Sequence, residues 1–217
     1  MDNWYFMKKV AVSIHATENF NVDILKGIEG LDYIHVDIMD GKFVNNTNNN
    51  LDVFKTLKGI YNIPIIAHLM VINPIDYIKK IINFIDIFLF HFEIIDDKTL
   101  IIEEVRKKNK KVGFAIKPET LITEIIPFLD KIDFVLVMSV NPGWSGQKFI
   151  PSTVNKINEL AEYKRKYEFL IDVDGGINLS NAKLLKKTDI LSSSSTILRA
   201  RNPNKIIKLL KESDLND

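Results

Sequence analysis

Short apolar runs alternate regularly with longer amphipathic segments along the chain, and this pattern restricts the possible folds. The runs are rich in β-branched residues and several are almost continuously apolar, which is typical of strands covered on both faces. The intervening segments, such as residues 99–108, show the 3.6-residue spacing of helices that bury one face. The runs define eight candidate strands: Lys9–Ile14, Tyr33–Ile38, Pro64–Leu69, Ile85–Phe90, Lys111–Ile116, Phe134–Met138, Glu168–Val173 and Asp189–Leu191.

Strands that alternate with helices predict a parallel sheet. Dividing 217 residues among eight such units leaves roughly 27 residues per unit, which matches a minimal barrel and leaves no room for a second domain. We therefore predict an α/β fold, a (β/α)8 TIM barrel forming one compact domain over residues 1–217. A doubly wound open sheet is the alternative, because periodicity alone does not count strands reliably. Asparagines before Pro74 and Pro203, and Asn178 after a Gly-Gly turn, predict helix starts.

Charge and cysteine content narrow the classes of partner. Lys and Arg total 29 against 28 Asp and Glu, so no net field favours nucleic acid or an anionic membrane, and we expect a small-molecule partner. Cysteine is absent, so any metal must be bound by histidine and carboxylate ligands. The most apolar stretch, residues 81–92, is too short to span a bilayer. Since the first residues do not resemble a signal peptide, we expect a cytoplasmic location.

Two histidines and two aspartates form a candidate metal site. His35 and Asp37 are two residues apart on one strand and therefore point to the same face. His68 ends the next strand, and Asp174 ends the seventh candidate strand. The functional mouth of a barrel is built from the C-terminal ends of its strands, so the four side chains are predicted to converge there on a Zn²⁺-like or Fe²⁺-like ion.

Each of these residues also has an ordinary structural interpretation. A lone histidine at a strand end is usually a hydrogen-bonded core or rim residue, so the prediction depends on the joint pattern. Asp172 shares a strand face with Asp174, and we favour Asp174 because it is nearer the strand end. His91 is expected to support or line the site rather than bind metal. His15 has no carboxylate near it in sequence and is assigned no role beyond the rim.

Three late loops have the composition of an anion site. They are residues 141–147, Gly175–Gly176 and Ser194–Ser195, which follow strands six, seven and eight. Glycine allows backbone N–H groups to approach a phosphate, and barrels often bind phosphate at loops seven and eight. Taken singly, each loop is an ordinary turn. Three in consecutive units favour phosphate binding.

Short motifs along essentially the whole chain resemble the ribulose-phosphate 3-epimerase family. Together they are highly specific, and they comprise Val12–Ile14, His35–Val44, His68–Val71, His91–Glu93, Lys117–Thr120, Met138–Gln147 and Val173–Gly176. The resemblance implies that His35, Asp37, His68 and Asp174 bind one divalent ion of Zn, Fe, Mn or Co, with Asp37 and Asp174 also transferring protons. It further implies a homo-oligomer and a set of substrate-binding residues: Ser13, Met39, His68, Met70, Met138, Gly143, Trp144, Ser145, Gly146, Gly175, Gly176, Ser194 and Ser195.

The sequence departs from the family pattern mainly at the predicted phosphate loops. The family's Gly-Phe-Gly-Gly is Gly-Trp-Ser-Gly at residues 143–146, and its Gly-Ser after strand eight falls on Ser194–Ser195. Departures at residues 12–15 and 43–46 leave the metal set untouched.

The resemblance implies an isomerase of carbohydrate metabolism. The expected reaction is epimerisation at C3 of a ketose phosphate through an ene-diolate, D-ribulose 5-phosphate to D-xylulose 5-phosphate in the pentose phosphate pathway. One alternative is a hexulose-6-phosphate (allulose 6-phosphate) 3-epimerase. A non-catalytic sugar-phosphate-binding protein is an alternative of another class.

Overall fold

The computed structural model describes residues 7–144 and 146–215. Within these residues the chain forms nine strands, of which only the two-residue third strand is too short to form part of a barrel wall. They are β1 (Lys9–His15), β2 (Tyr33–Asp40), β3 (Thr47–Asn48), β4 (Ile65–Met70), β5 (Ile87–His91), β6 (Lys111–Ile116), β7 (Phe134–Met138), β8 (Leu170–Asp174) and β9 (Ile190–Ser193).

Eight of the strands close into a parallel barrel. Their order is β1-β9-β8-β7-β6-β5-β4-β2, and an additional pairing of β1 with β2 joins the two ends. In that pairing Ser13 lies opposite His35 and His15 lies opposite Asp37. The short β3 is antiparallel to the end of β2. The predicted (β/α)8 barrel is confirmed, and the open sheet is wrong because β1 and β2 pair.

Helices follow most strands and cover the outside of the barrel. They are α1 (Asp52–Ile60), α2 (Ile75–Ile81), α3 (Lys98–Arg106), α4 (Ile122–Ile125), α5 (Thr153–Glu162), α6 (Leu179–Ala182), α7 (Ser195–Leu198) and α8 (Pro203–Lys211). As predicted, Asn178 and Asn202 cap α6 and α8 by accepting hydrogen bonds from backbone N–H groups. No helix in the described part of the chain is long and apolar enough to cross a lipid bilayer.

The first unit differs from the prediction. Between β1 and β2 the chain forms a 3-10 turn at Val22–Leu25 instead of an α-helix. Gly27 and Gly30 follow this turn with φ of 75° and 79°, a left-handed conformation that stops a helix from continuing.

A single domain over residues 1–217 stays a prediction, because that range extends beyond the described residues.

The outer and inner faces of the barrel strands line two different parts of the protein interior. Residues on their outer faces pack with the helices in one large apolar core that includes Phe54, Phe88 and Phe114, each fully buried. Burying such a side chain stabilises the fold by about 1.5–3 kcal/mol. On the inner faces Ala11, Leu89 and other apolar residues fill the lower barrel. Nearer the C-terminal ends of the strands the inward side chains become polar, and this layer contains the candidate site.

Candidate metal centre and active site

Four side chains from three strands meet inside the C-terminal mouth of the barrel. β2 supplies His35 and Asp37, β4 supplies His68, and β8 supplies Asp174, its last residue. One nitrogen or carboxylate oxygen of each lies within 4.8 Å of the corresponding atom of the others. The structure therefore brings together all four residues that the sequence predicted as metal ligands.

The spacing of the donor atoms suits a small divalent cation. Asp37 Oδ1 lies 2.9 Å from His68 Nδ1 and 3.2 Å from His35 Nε2. The two histidine nitrogens are themselves 3.2 Å apart. Ligands at right angles around an ion with bonds of about 2.1 Å are separated by about 3.0 Å. These three atoms therefore fit one face of a coordination sphere, and Asp174 can close it from β8.

The pKa of each side chain in the cluster depends on burial and on the charges of its neighbours. Burial alone would lower the pKa of His35, but the hydrogen bond and charge of Asp37, helped by Asp174 and Asp172, raise it to about 9. Burial lowers the pKa of His68 to about 4 against the pull of Asp37. Burial alone would raise the pKa of Asp37, but both histidines hold it well below its usual range. The two histidines differ because two further carboxylates act on His35.

Asp174 has the opposite shift from Asp37. Burial, followed by the negative charge of Asp37, raises the pKa of Asp174 to about 7. One carboxyl of the pair is thus held ionised while the other can carry a proton near neutral pH. Such a split is the arrangement that acid–base chemistry between two carboxyl groups requires.

Metal binding to this cluster is expected to strengthen as the pH rises. A cation must displace the proton that His35 holds up to pH about 9 and the proton that Asp174 holds up to pH about 7. Each displaced proton makes the affinity rise by up to about tenfold per pH unit below the corresponding pKa. Titrating the metal-free protein with Mn²⁺ in a calorimeter between about pH 6 and pH 8 measures this dependence. An affinity that stays constant over that interval would contradict the shifts.

Asp172 and Asp174 lie on the same strand face at different depths. Asp172 is fully buried inside the barrel, where its carboxyl group contacts Ser192 and lies 3.9 Å from His35 Nδ1. Burial raises the pKa of Asp172 to about 6. Asp174 lines the open pocket. Of the two carboxyl groups, Asp174 is therefore the one that borders the pocket.

A pocket with a cavity volume of about 240 Å³ opens over the cluster. Most of the predicted substrate-binding residues line it, namely Ser13, Met39, Met70, Met138, Gly143, Trp144, Gly146, Gly175, Gly176, Ser194 and Ser195. Ser13 also donates a hydrogen bond of 3.0 Å to Asp37 Oδ2. His68 is fully buried and is not among the lining residues. Ser145 lies outside the described residues.

Comparison with known proteins decides the family. A sequence model of the ribulose-phosphate 3-epimerase family matches residues 9–197. A ribulose-phosphate 3-epimerase of Buchnera aphidicola is 38% identical over 198 residues, covering 88% of this chain and 86% of its own. That of Methanocaldococcus jannaschii is 35% identical over 216 residues, covering 96% and 92%. The chain belongs to the ribulose-phosphate 3-epimerase family. This membership makes it an enzyme of the isomerase class.

Solved structures of other barrel proteins share the fold of this member of the ribulose-phosphate 3-epimerase family. The 3-hexulose-6-phosphate synthase of Salmonella typhimurium superposes with a TM-score of 0.68 at 15% identity, covering 95% of this chain and 98% of its own. A mutant tryptophan synthase alpha-subunit from Pyrococcus furiosus gives 0.66 at 16% identity, covering 96% and 98%. At such identities the likeness shows the shared fold alone.

The structure adds a neighbour to His15, which the sequence placed at the rim without a further role. Its Nε2 atom lies 3.8 Å from Asp37 Oδ2, and it lines the pocket. The proximity follows from the pairing of β1 with β2, which places His15 opposite Asp37. Asn48 of β3 was missed entirely, and its amide nitrogen lies 2.9 Å from His15 Nδ1. No signal in the sequence marks this contact, since Asn48 sits within a polar loop.

His91 has the supporting position that was expected of it. Its Nε2 atom lies 3.1 Å from His68 Nε2, and its Nδ1 atom lies 2.9 Å from Glu93 Oε2. It is fully buried and lies outside the four-residue cluster. In this family member His91 therefore contacts the far side of a candidate ligand.

Proposed function

We propose that this enzyme interconverts D-ribulose 5-phosphate and D-xylulose 5-phosphate by moving a proton at C3. The observation that carries the proposal is the pair Asp37 and Asp174, which lie close together at the mouth of the barrel beside two histidines, in a chain of the ribulose-phosphate 3-epimerase family. Relatives that cover most of the chain are themselves named ribulose-phosphate 3-epimerases.

Epimerisation next to a carbonyl needs a base on one face of the carbon and an acid on the other. Asp37 projects from β2 and Asp174 from β8, with β1 and β9 between them in the barrel. One aspartate removes the C3 proton, which leaves an ene-diolate, and the other returns a proton to the opposite face. The two roles exchange when the reaction runs in reverse. No redox cofactor is required for this chemistry.

We assign the ligation of one divalent ion of Zn, Fe, Mn or Co to His35, Asp37, His68 and Asp174. The donor set supports this assignment, because two imidazoles and two carboxylates suit these metals and the donor spacing fits their bond lengths. When bound, such an ion stabilises negative charge on the oxygens of the substrate. Ser13 holds Asp37 in place through its hydrogen bond. Three methionines, Met39, Met70 and Met138, provide an adaptable apolar wall beside the sugar.

We place the substrate phosphate against the three loops that follow β7, β8 and β9. These loops line one side of the pocket and include Gly143, Gly146, Gly175 and Gly176, all of which have positive φ. Backbone in this conformation can direct N–H groups towards an anion. At the third loop, Ser194 and Ser195 offer hydroxyl groups where the family has Gly-Ser.

Ser195→Asp is expected to raise KM for the 5-phosphate substrate by at least about tenfold, because a fixed negative charge would face the phosphate. Ser195 is exposed at the pocket, so the melting temperature and the metal content should not change. The matched control is Ser152→Asp, which adds the same charge at an exposed serine outside the pocket lining. Equal KM values in the two variants would move the phosphate site elsewhere.

A hexulose 6-phosphate remains an alternative substrate because some loop residues depart from the family pattern. Trp144 is bulky, exposed and lines the pocket, and Ser194 stands where the family has glycine. Both change the space available at the phosphate end of the sugar, which is where a hexulose 6-phosphate differs from a pentulose 5-phosphate. The alternative of a non-catalytic sugar-phosphate-binding protein is disfavoured by the presence of both aspartates.

The proposed reaction is tested by incubating the purified, metal-loaded enzyme separately with ribulose 5-phosphate and with allulose 6-phosphate. We expect conversion of ribulose 5-phosphate with the higher kcat/KM. A higher kcat/KM for allulose 6-phosphate would assign the enzyme to the longer sugar, and conversion of neither would contradict an epimerase. Light scattering of the same sample tests the predicted homo-oligomer, which stays a proposal, as does a cytoplasmic location.

A further inference from the structure

We propose that two buried hydrogen-bond chains select the tautomers of the metal-binding histidines, so that His35 presents Nε2 and His68 presents Nδ1 to the cation. We call Asp172, Ser192 and His35 the inner chain, and Glu93, His91 and His68 the outer chain. The inference rests on the proposed metal centre and assigns positioning roles to residues that do not themselves bind the ion.

The inner chain runs through the interior of the barrel. Ser192 Oγ lies 3.0 and 3.1 Å from the two carboxyl oxygens of Asp172 and 3.2 Å from His35 Nδ1. All three residues are fully buried. A buried hydroxyl between a carboxylate and an imidazole has little freedom to reorient, because an unpaired polar atom there costs about 1–3 kcal/mol.

The direction of the inner chain follows from the donors available. A carboxylate only accepts hydrogen bonds, so Ser192 donates its single proton to Asp172. The Ser192 oxygen then accepts from an N–H group on His35 Nδ1. When a bound cation has displaced the second proton of His35, the ring keeps its proton on Nδ1 and presents the lone pair of Nε2 to the cation. That atom is the one that lies 3.2 Å from both Asp37 Oδ1 and His68 Nδ1.

The outer chain begins at Glu93, a carboxylate with several donors around it. It accepts hydrogen bonds from the Lys117 backbone N–H at 2.8 Å and from the Thr120 hydroxyl. A carboxylate only accepts hydrogen bonds, so the remaining contact, 2.9 Å to His91 Nδ1, is made by an N–H group on that nitrogen.

The direction of the hydrogen bonds in the outer chain continues from His91 to His68. Because His91 holds its proton on Nδ1, its Nε2 atom accepts the hydrogen bond from His68 Nε2–H at 3.1 Å. His68 Nδ1 is then free to face Asp37 Oδ1 at 2.9 Å. The ring of Phe43 packs against His91 with centroids 4.6 Å apart and planes tilted by 37°, which limits rotation of the imidazole.

Each hydrogen-bond chain fixes which nitrogen of one imidazole ring carries the proton. β2 and β4 deliver imidazoles whose metal-facing atoms are different nitrogens, Nε2 in His35 and Nδ1 in His68. Without fixed partners each neutral ring would distribute its proton over both nitrogens and would lose part of its affinity for a cation. Partners behind ligating histidines typically change metal affinity by about 10- to 100-fold.

The first test replaces the inner hydroxyl. We expect Ser192→Ala to weaken Zn²⁺ binding by about 10- to 100-fold, measured by competition with a chromophoric chelator. The matched control is Ser193→Ala, the next residue of β9, whose hydroxyl donates to the Ile177 carbonyl at 3.0 Å, away from the cluster. It should keep the wild-type Zn²⁺ affinity. Equal affinities for the two variants would overturn the inner chain.

The second test needs no variant, so it holds even if Ser192→Ala does not fold. Nitrogen-15 NMR of Zn²⁺-loaded wild-type protein is expected to show the ring N–H on Nδ1 of His35 and His91 and on Nε2 of His68. Any other assignment for His35 or His68 would overturn the proposal, as would a wild-type protein that does not bind Zn²⁺. Neither readout measures epimerisation. A failure of the proposed reaction would therefore leave these results intact and be recognised separately.

Discussion

Replacing Asp37 or Asp174 by asparagine is expected to lower kcat by at least about 10⁴-fold, because each change removes both a proton-transfer group and an anionic ligand. Asparagine keeps the size of the side chain but neither accepts a proton from carbon nor delivers one. Both aspartates line the pocket, and the pKa of each differs strongly from its usual value. The measurement is steady-state turnover of ribulose 5-phosphate at saturating metal.

Two further variants serve as controls for the loss of turnover. Asp130→Asn, at an exposed position outside the pocket, is expected to match the wild type. Asp172→Asn acts only through His35, so most of its activity should return when the metal concentration is raised. Activity lost in Asp174→Asn should not return. If added metal rescued both variants equally, or neither, the distinction between the two neighbouring aspartates would have no basis.

Removing the metal is expected to reduce turnover by at least about 10³-fold, which corresponds to the loss of about 4 kcal/mol of charge stabilisation. The protein would be dialysed against a chelator, checked by elemental analysis and then assayed with and without added ions. Zn²⁺, Fe²⁺, Mn²⁺ or Co²⁺ should restore activity.

Ca²⁺ serves as the control for this experiment, because it prefers oxygen ligands in larger coordination shells and is poorly matched to two imidazoles. It should not restore turnover. Full activity in protein shown to be free of metal would contradict the proposed centre. So would a failure of all four transition metals to reactivate a folded sample.

The fold was largely predictable because its evidence is local in the sequence. Nearly continuous apolar runs identified every barrel strand, with errors of a few residues at the ends, as at β8, which begins at Leu170 rather than Glu168. The missing first helix was harder to foresee. Its segment includes Gly27 and Gly30, whose left-handed conformations are decided by the loop as a whole.

The candidate site was predictable where one strand carries two of its members. His35 and Asp37 follow from the two-residue period of β2, and His68 and Asp174 follow from their places at strand ends. Contacts between strands could not be derived in the same way, because they depend on register. The approach of His15 to Asp37 is set by a register that no local pattern in either strand specifies.

The chains behind the histidines show the same limit. Ser192 reaches Asp172 and His35 from β9, which is far from β2 in sequence but near it in the barrel. The sequence shows only that Asp172 and Asp174 share a strand face. The depth of each in the barrel separates a buried carboxyl group from one that lines the pocket.

Uptake of solvent hydrogen at C3 tests proton transfer by Asp37 and Asp174 directly. The metal-loaded enzyme would be incubated with ribulose 5-phosphate in D₂O and both sugars analysed by NMR. Two aspartates acting through an ene-diolate predict xylulose 5-phosphate that carries deuterium at C3 from the first turnover, with no deuterium at the other carbons. Product that forms while retaining hydrogen at C3 would contradict the two-aspartate mechanism.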